Sequence, residues 1–521
     1  MSAIITDQLR ILNAKNFISA ITSENNSYYS FVGLSNATDY SPNWNINPPT
    51  PKDNFDQESD YWDTMIALKR IKSNDVNQVV KKNTWASGTI YDMYRHDISI
   101  NNIEKRFSQS TSLYSSNYYV INSDYRVYIC LQNGTDPENP TGRPSLDEPT
   151  FTDLEPKSAG DSGDGYIWKY LYTIKPSEII KFDTVNFIPV PKDWESSDEF
   201  APIRNNASSS NNQLKIITIT DRGVGLGTAN KTYTDVPIKG DGNGAKATIV
   251  INNDSKVESI TVSIGGSVYT YVTVDLEGGN VPVGTGGTST KPTFDVIIPP
   301  KGGHGADIYR ELGAYNVLIF SRIENDTENP DFIVGNKIAR IGIVKNPQSY
   351  DSNSLLNLDK ASAVYALKLS GIGYSSAVFD YNSRFTQTIS TGTTAVGRVI
   401  SYDQNTGVLK YWQDRSLVGF NTDGSQNEYP IYGINLNRFT NSVGSGGTTF
   451  ITGTNLYIDS FFTGLSTSLN NRTYNLGQSF INGMSNPEVK KYSGDIIYVD
   501  NRPSITRSSN QKEDIKVILQ F

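Results

Sequence analysis

Tyr166-Ile167-Trp168-Lys169-Tyr170-Leu171-Tyr172, residues 166–172, is the stretch whose reading decides the fold class. Aromatic and branched side chains suit a pleated surface, and the two-residue period of a strand sends Tyr166, Trp168 and Tyr170 to one face and Ile167, Lys169 and Leu171 to the other. An aromatic row of this kind is usually core, although aromatics are also enriched in interface hot spots.

Working outward, residues 28–34 also read as a strand, the signature recurs at 118–121 and 126–131 with Pro/Asp/Gly-rich loops between, and longer apolar segments stand at 315–323 and 338–344. A hairpin is expected where residues 396–402 and 408–412 flank Asp403-Gln404-Asn405-Thr406-Gly407, with Gly407 where a positive φ is wanted. The chain closes on an alternation, Ile515, Val517, Leu519 and Phe521 against Lys516, Ile518 and Gln520, which predicts a strand with one buried face.

Helices are expected only near the start. Thr6 or Asp7 can cap a segment whose apolar residues are Leu9, Leu12, Phe17, Ile18 and Ile21. A second helix is read after Ser59-Asp60, running from Tyr61 to Leu68 with Tyr61, Met65 and Leu68 on one face; Pro42, Pro48, Pro49 and Pro51 make a loop before it.

The length, 521 residues, calls for several domains. Composition shifts to Asn and Ser at 201–212, where a linker is expected. Beyond it lies a loose repeat: Ile217-Thr218-Ile219-Thr220-Asp221-Arg222-Gly223 and Ile260-Thr261-Val262-Ser263-Ile264-Gly265-Gly266, each followed by a Tyr-Thr pair (Tyr233-Thr234 and Tyr269-Thr270). Two copies imply a small duplicated β module, not a solenoid. Another Gly/Ser/Thr-rich β region occupies about 355–480. The fold class is therefore mainly β: an α+β core built as a layered β-sandwich with a few helices, plus two inserted Gly-rich β domains. The division is 1–204 core, 205–300 insertion with the internal repeat, 301–354 core continued, 355–482 second insertion and 483–521 C-terminal core strands.

Chemistry is conspicuously thin. Lys plus Arg number 46 against 54 Asp plus Glu, so no basic field exists to gather a phosphate backbone, and nucleic acid is not an expected partner. The N-terminal apolar stretch stops after three residues without a basic region before it, and no apolar run approaches the roughly 18 residues of a membrane span. A soluble protein made in a cytosol, with no membrane partner, is expected. Cys130 stands alone in Val127-Tyr128-Ile129-Cys130-Leu131, which reads as a buried inert thiol.

His96 in Tyr94-Arg95-His96-Asp97 has no nucleophile context, and His304 in Gly302-Gly303-His304-Gly305 reads as part of a flexible connector without a ligand at metal spacing. Paired-carboxylate glycoside cleavage would draw on Asp161, Asp164, Glu311 or Asp495, yet nothing in the sequence singles out a pair. Asp161-Ser162-Gly163-Asp164-Gly165 lacks calcium-loop spacing and reads as a turn. Gly223-Val224-Gly225-Leu226-Gly227 and Gly240-Asp241-Gly242-Asn243-Gly244 lack the dinucleotide fingerprint and read as turns between strands. No catalytic, metal or cofactor-binding residue is assigned, and no small-molecule substrate is expected.

Three blocks carry a resemblance. They are Ser493-Gly494-Asp495-Ile496-Ile497-Tyr498-Val499-Asp500-Asn501-Arg502-Pro503, then Gly163-Asp164-Gly165-Tyr166-Ile167-Trp168-Lys169-Tyr170-Leu171-Tyr172, and a third set made of Gly335-Asn336-Lys337 with Asn346-Pro347 and of residues 85–94, from Trp85 to Tyr94. Together they resemble the baseplate wedge subunit called gene product eight of T-even-type contractile-tailed phages, over roughly 1–200, 301–350 and 483–521. The resemblance implies a structural, non-enzymatic component of a contractile-tail baseplate wedge, located in the virion after assembly in the host cytoplasm. It also implies a homodimer set beside other wedge subunits. The motif residues Trp85, Gly163, Asp164, Gly165, Tyr166, Trp168, Tyr170, Asn346, Pro347, Gly494, Asp495, Tyr498, Asn501, Arg502 and Pro503 are then structural or interface positions. A carbohydrate-binding or carbohydrate-cleaving tail fibre or spike is the alternative. In Asn501-Arg502-Pro503 the proline fixes φ and is expected to turn the chain out of the strand that precedes it, leaving Arg502 to a local carboxylate or carbonyl.

Overall fold

The computed structural model describes residues 4–36, 41–207, 212–283, 289–323, 337–390, 393–413, 419–420, 426–428, 455–464, 468–469, 472–473, 479–506, 508 and 511–521. The protein is mainly β, built from antiparallel sheets. It divides into two compact units, residues 1–17 with 77–318 and 518–521, and residues 18–76 with 319–517. The stretch 1–200, read from sequence as a single α+β unit, thus contributes to both.

In the first unit the strands Tyr119–Ile121, Arg126–Asn133 and Tyr166–Thr173 form one sheet. Its core gathers Tyr118, Val120, Ile129, Cys130, Trp168, Tyr172 and Trp194. The chain's last residue is tied in here: Phe521 donates its amide to Tyr315 O at 3.2 Å, and its ring lies 5.3 Å from Phe17. Of the face read as buried in the closing strand Glu513–Gln520, Ile515 and Val517, which belong to the second unit, are buried and Leu519 is half-buried.

The same unit holds a four-stranded sheet in the order Val257–Ile264, Lys246–Ile251, Thr232–Gly240, Val272–Val274, and beside it the pair Ile217–Asp221 with Thr293–Val296. The two repeat copies do not take equivalent places. Ile217 begins a strand of the separate pair, whereas Ile260 lies mid-strand at the edge of the four-stranded sheet; Tyr233 is in a strand and Tyr269 lies between strands. Both glycine clusters join strands, as read.

The second unit is organised by a five-stranded sheet in the order Lys360–Ser362, Met65–Arg70, Tyr28–Gly33, Lys337–Lys345, Asp495–Thr506. Segments more than 400 positions apart in the chain therefore share one sheet. A second sheet contains the expected hairpin: Asp403 pairs with Val408 around Gly407, whose φ is +68°. Its core is Leu367, Leu369, Val399, Leu409 and Tyr411 with their neighbours.

Three local expectations fail for physical reasons. In the helix Asp7–Thr22 the buried positions are Ile11, Ala14 and Ile21, while Leu9 and Leu12 are exposed, so the buried stripe is rotated from the one read. The second helix is Phe55–Thr64, capped by Asn54, whose side chain accepts from Gln57 N; Met65-Ile66-Ala67-Leu68 is instead strand. That run is buried at all four positions and lies between two other strands, a setting in which an unbroken apolar segment is a central strand. Finally, the expected linker begins as a helix, Ala201–Ala207, because Ile203 and Ala207 fall four apart and both are buried. Residues 208–211 of that linker, and Gly335-Asn336 of the third motif set, lie outside the described residues.

Candidate functional site: two motif-built nodes

The Gly-Asp-Gly-Tyr-x-Trp block turns the chain into a strand by close backbone approach. Gly165 has a φ of +82°, and a Cβ on it would sit 2.7 Å from the Cα of Gly134. Asp164 closes the turn by accepting from Leu146 N and Tyr166 N, both at 2.9 Å. This is the turn reading of residues 161–165. Ser162 N donates to Asp147 at 3.0 Å. Gly163 also has positive φ (+69°) but faces open space. Gly165→Ala is accordingly expected to cost about 2–4 kcal/mol and Gly163→Ala only about 1 kcal/mol, compared by urea unfolding of the two variants.

Tyr166 and Trp168 then stack at 5.3 Å, with the Tyr91 ring edge-on to both at 6.4 and 5.8 Å. The Tyr166 hydroxyl donates to Arg143 O at 2.7 Å and accepts from Tyr91 N at 2.9 Å. Trp85 donates its indole N–H to Ser145 Oγ at 3.1 Å. The face assignment read from sequence holds only in part: Tyr170 is half-buried, whereas Lys169 is buried. The cause is a double cover, since both faces of the strand are packed and its register against Arg126–Asn133 shifts twice. Lys169 Nζ donates to Leu154 O at 2.7 Å and Asn206 Oδ1 at 3.0 Å, and burial pulls its pKa down to about 8.

The second node lies in the other unit. Contrary to expectation, Asn501-Arg502-Pro503 does not leave the strand; Asp495–Thr506 runs through it. Arg340 pairs with Asn501 and Ile338 with Ile505, so Arg502, Pro503 and Ser504 bulge opposite Ala339. A bulge leaves residues out of the ladder, which suits a proline that has no N–H to give. Arg502 Nε donates to Asp500 Oδ2 at 2.6 Å. Asn501 donates to Pro49 O at 2.9 Å, and Trp44 Nε1 donates to Arg502 O at 2.8 Å.

At the centre stands Arg340, 1% exposed and absent from the sequence-based reading. Its guanidinium donates to Asn501 Oδ1 at 2.8 Å, Asn36 Oδ1 at 3.0 Å, Asp60 O at 3.3 Å and Thr64 Oγ1. It also lies over the rings of Tyr61 (4.7 Å) and Trp44 (5.4 Å). Burial lowers its pKa to about 10, so it stays charged at neutral pH. One signal was available: Arg340 is the lone cation in Ile338-Ala339-Arg340-Ile341-Gly342-Ile343-Val344. Lys169 interrupts its aromatic row in the same way.

The remaining motif residues brace the same sheet. Asn346 accepts from Ser27 N at 2.8 Å through its side chain and donates its own amide to Ser27 O at 2.7 Å. Pro347 O accepts from Leu356 N at 2.8 Å. Gly494 precedes the strand, Asp495 pairs with Lys345, and Tyr498 pairs with Ile343. Nearby, Glu488 accepts from Ser362 N at 2.7 Å, and burial pushes its carboxyl from the usual 4.5 up to about 7. A raised native pKa means the native state holds the extra proton, so this contribution is whole below pH 4.5 and is lost as pH rises through 7. Glu488→Gln keeps the acceptor without the charge. It is expected to be more stable than wild type by roughly 1–2 kcal/mol at pH 8, allowing for solvent screening, and equal to it at pH 4.5; urea unfolding at the two pH values checks this.

The other candidates have separate settings. His96 Nδ1 accepts from Ile298 N at 3.2 Å. His304, read as part of a flexible connector, is buried: its Nδ1 is 2.6 Å from Glu311 Oε1, and its ring stands edge-on to Tyr94 at 4.7 Å. The sequence lacked the signal because Glu311 reaches it from the next helix, Ile308–Leu312. Glu311 also accepts from Gly305 N at 2.6 Å. Cys130 is buried, and burial raises its thiol pKa. Among the described residues no group of three or more His, Cys, Asp or Glu is placed to hold a metal, and no helix is long and apolar enough to cross a membrane.

Comparison with known proteins adds what geometry does not. Residues 3–155 match the family model described as Bacteriophage T4, Gp8. That stretch is similar to the Gp8 family. It is also 26% identical over 227 residues to the baseplate wedge protein gp8 of Enterobacteria phage T4, a match covering 39% of this chain and 64% of that protein. The chain thus spans a little under two thirds of the gp8 relative's length. The Gp8-matched stretch contains Trp85 and Arg143 of the first node, and Asn36, Trp44, Asp60, Tyr61 and Thr64 of the second.

Proposed function

We propose that the protein is a structural subunit of a contractile-phage tail baseplate wedge, acting through protein interfaces and not through a catalytic site. The single observation that carries this reading is the Gp8 match at residues 3–155, supported by the wider similarity to T4 gp8. In keeping with it, the motif side chains spend their hydrogen bonds inside the fold: Asp164, Tyr166, Asn346 and Asn501 each hold backbone or side-chain partners within their own unit. The subunit pairs with a second copy and sits beside other wedge subunits in the virion baseplate, having assembled in the host cytoplasm. In this proposal residues 1–204, 301–354 and 483–521 are the ancestral core, and 205–300 and 355–482 are insertions.

A wedge that survives contraction needs obligate interfaces of about 2,000 Å² or more. Light scattering at micromolar concentration, with the chain alone and then mixed with other wedge components, is the test. A dimer that enters larger complexes is expected; a strictly monomeric chain that binds none of them overturns the proposal.

A further inference from the structure

The five-stranded sheet ends on one side with the three-residue strand Lys360–Ser362 and on the other with the twelve-residue strand Asp495–Thr506. A long edge strand exposes backbone donors and acceptors that template another strand, and proteins blunt such edges with proline, charge, bulges or a covering loop. Here those devices gather in the second half of the strand. Asp500, Arg502 and Pro503 lie there, as does the bulge opposite Ala339. A loop covers it as well, through Trp44 to Arg502 O and through Asn45 Oδ1, which accepts from Ser504 N at 3.1 Å.

The first half is Asp495-Ile496-Ile497-Tyr498-Val499, four strong strand formers behind one acid. Among the described residues it pairs with Lys337–Lys345 on one side and with no strand on the other. Beside residues 496–499 lies a slot of about 270 Å³, walled on the far side by Pro51, Lys52, Asp53, Asn54, Glu58 and Tyr61. Four residues of edge offer about 13 Å for pairing.

We propose that residues 495–499 receive an extended, basic segment of a neighbouring tail protein as an added strand. The proposal deepens the assembly reading above and rests on it. An unpaired edge selects an extended backbone as its ligand, because only that supplies donors and acceptors at the strand's own spacing. Charge selects the partner. Asp53 and Glu58 outnumber Lys52 on the slot wall, and Asp495 opens the strand, so cationic side chains are favoured. A second copy of this strand is disfavoured, since it would bring its own Asp495 and Asp500 against these acids.

Hydrogen exchange resolved by mass spectrometry, on the full chain free in solution and in contractile tails assembled with it, decides the matter. Outward amides within 495–499 are expected to exchange freely in the free chain and to slow about 100-fold or more in the tails. The double variant Asp53→Lys/Glu58→Lys is expected to enter tails at least tenfold less efficiently, with an unchanged thermal midpoint. Incorporation of the chain with these amides still fast overturns the added strand and leaves the assembly reading standing. Protection that grows with the free chain's own concentration shows a second copy in the slot and overturns the heterologous partner. A chain that never enters tails overturns both.

Discussion

Arg340→Met is expected to destabilise its unit by about 3–5 kcal/mol, the scale of breaking a buried charged network. Methionine can follow the aliphatic stem but donates nothing, so Asn36 Oδ1, Asn501 Oδ1, Asp60 O and Thr64 Oγ1 all lose a buried donor. Each buried polar atom left unpaired costs roughly 1–3 kcal/mol, less where it can relax toward water. The rings of Tyr61 and Trp44 lose their cation as well. Arg340→Lys is expected to recover less than half of the loss, because a single ammonium cannot reach four acceptors held around a planar fork. A two-unit chain need not unfold in one step, so the measurement is unit-specific: amide exchange of the strand Tyr28–Gly33 against urea. A loss below about 1 kcal/mol for the methionine variant would show that the network does not hold the sheet.

In the other unit, Trp168→Ala is expected to cost about 3–5 kcal/mol, the usual range for a large aromatic removed from a closed core. Trp168 is fully buried, stacked on Tyr166 and met edge-on by Tyr91, so there is little room for collapse around the vacancy. Its indole N–H has no acceptor among the described residues. The loss is therefore one of packing, and Trp168→Phe should retain most of the stability. Chemical unfolding followed through exchange of Arg126–Asn133 separates the two variants; equal losses for Ala and Phe would contradict a packing origin.

Both nodes concern assembly only indirectly. Under the proposed assembly role, side chains that hold their own fold together leave partners to meet surfaces set by that fold. Recognition then falls to edges and exposed side chains, among them the 495–499 edge that lies within the C-terminal motif block.

Several strands of this protein could be read from its residues because they declare themselves locally. The closing alternation from Ile515 to Phe521, the hairpin around Asp403 to Gly407, and the aromatic row from Tyr166 to Tyr172 carry period-two or turn signals that need no distant partner. The turn character of residues 161–165 is legible for the same reason: glycine at positive φ and an aspartate capping nearby amides are local chemistry. Met65-Ile66-Ala67-Leu68 failed because an unbroken apolar run suits a buried helix and a buried strand alike, and its choice came from strands on both sides of it. Tertiary structure alone decided that residues 28–33 and 495–506 share a sheet, that His304 meets Glu311, and that Arg340 lies beneath Trp44 and Tyr61. Those pairings join residues far apart in the chain, or on separate elements, and long-range contact leaves no periodic trace in either partner. Hydrophobic period is a property of one segment, whereas burial of a charge or an open edge belongs to the neighbours that happen to surround it.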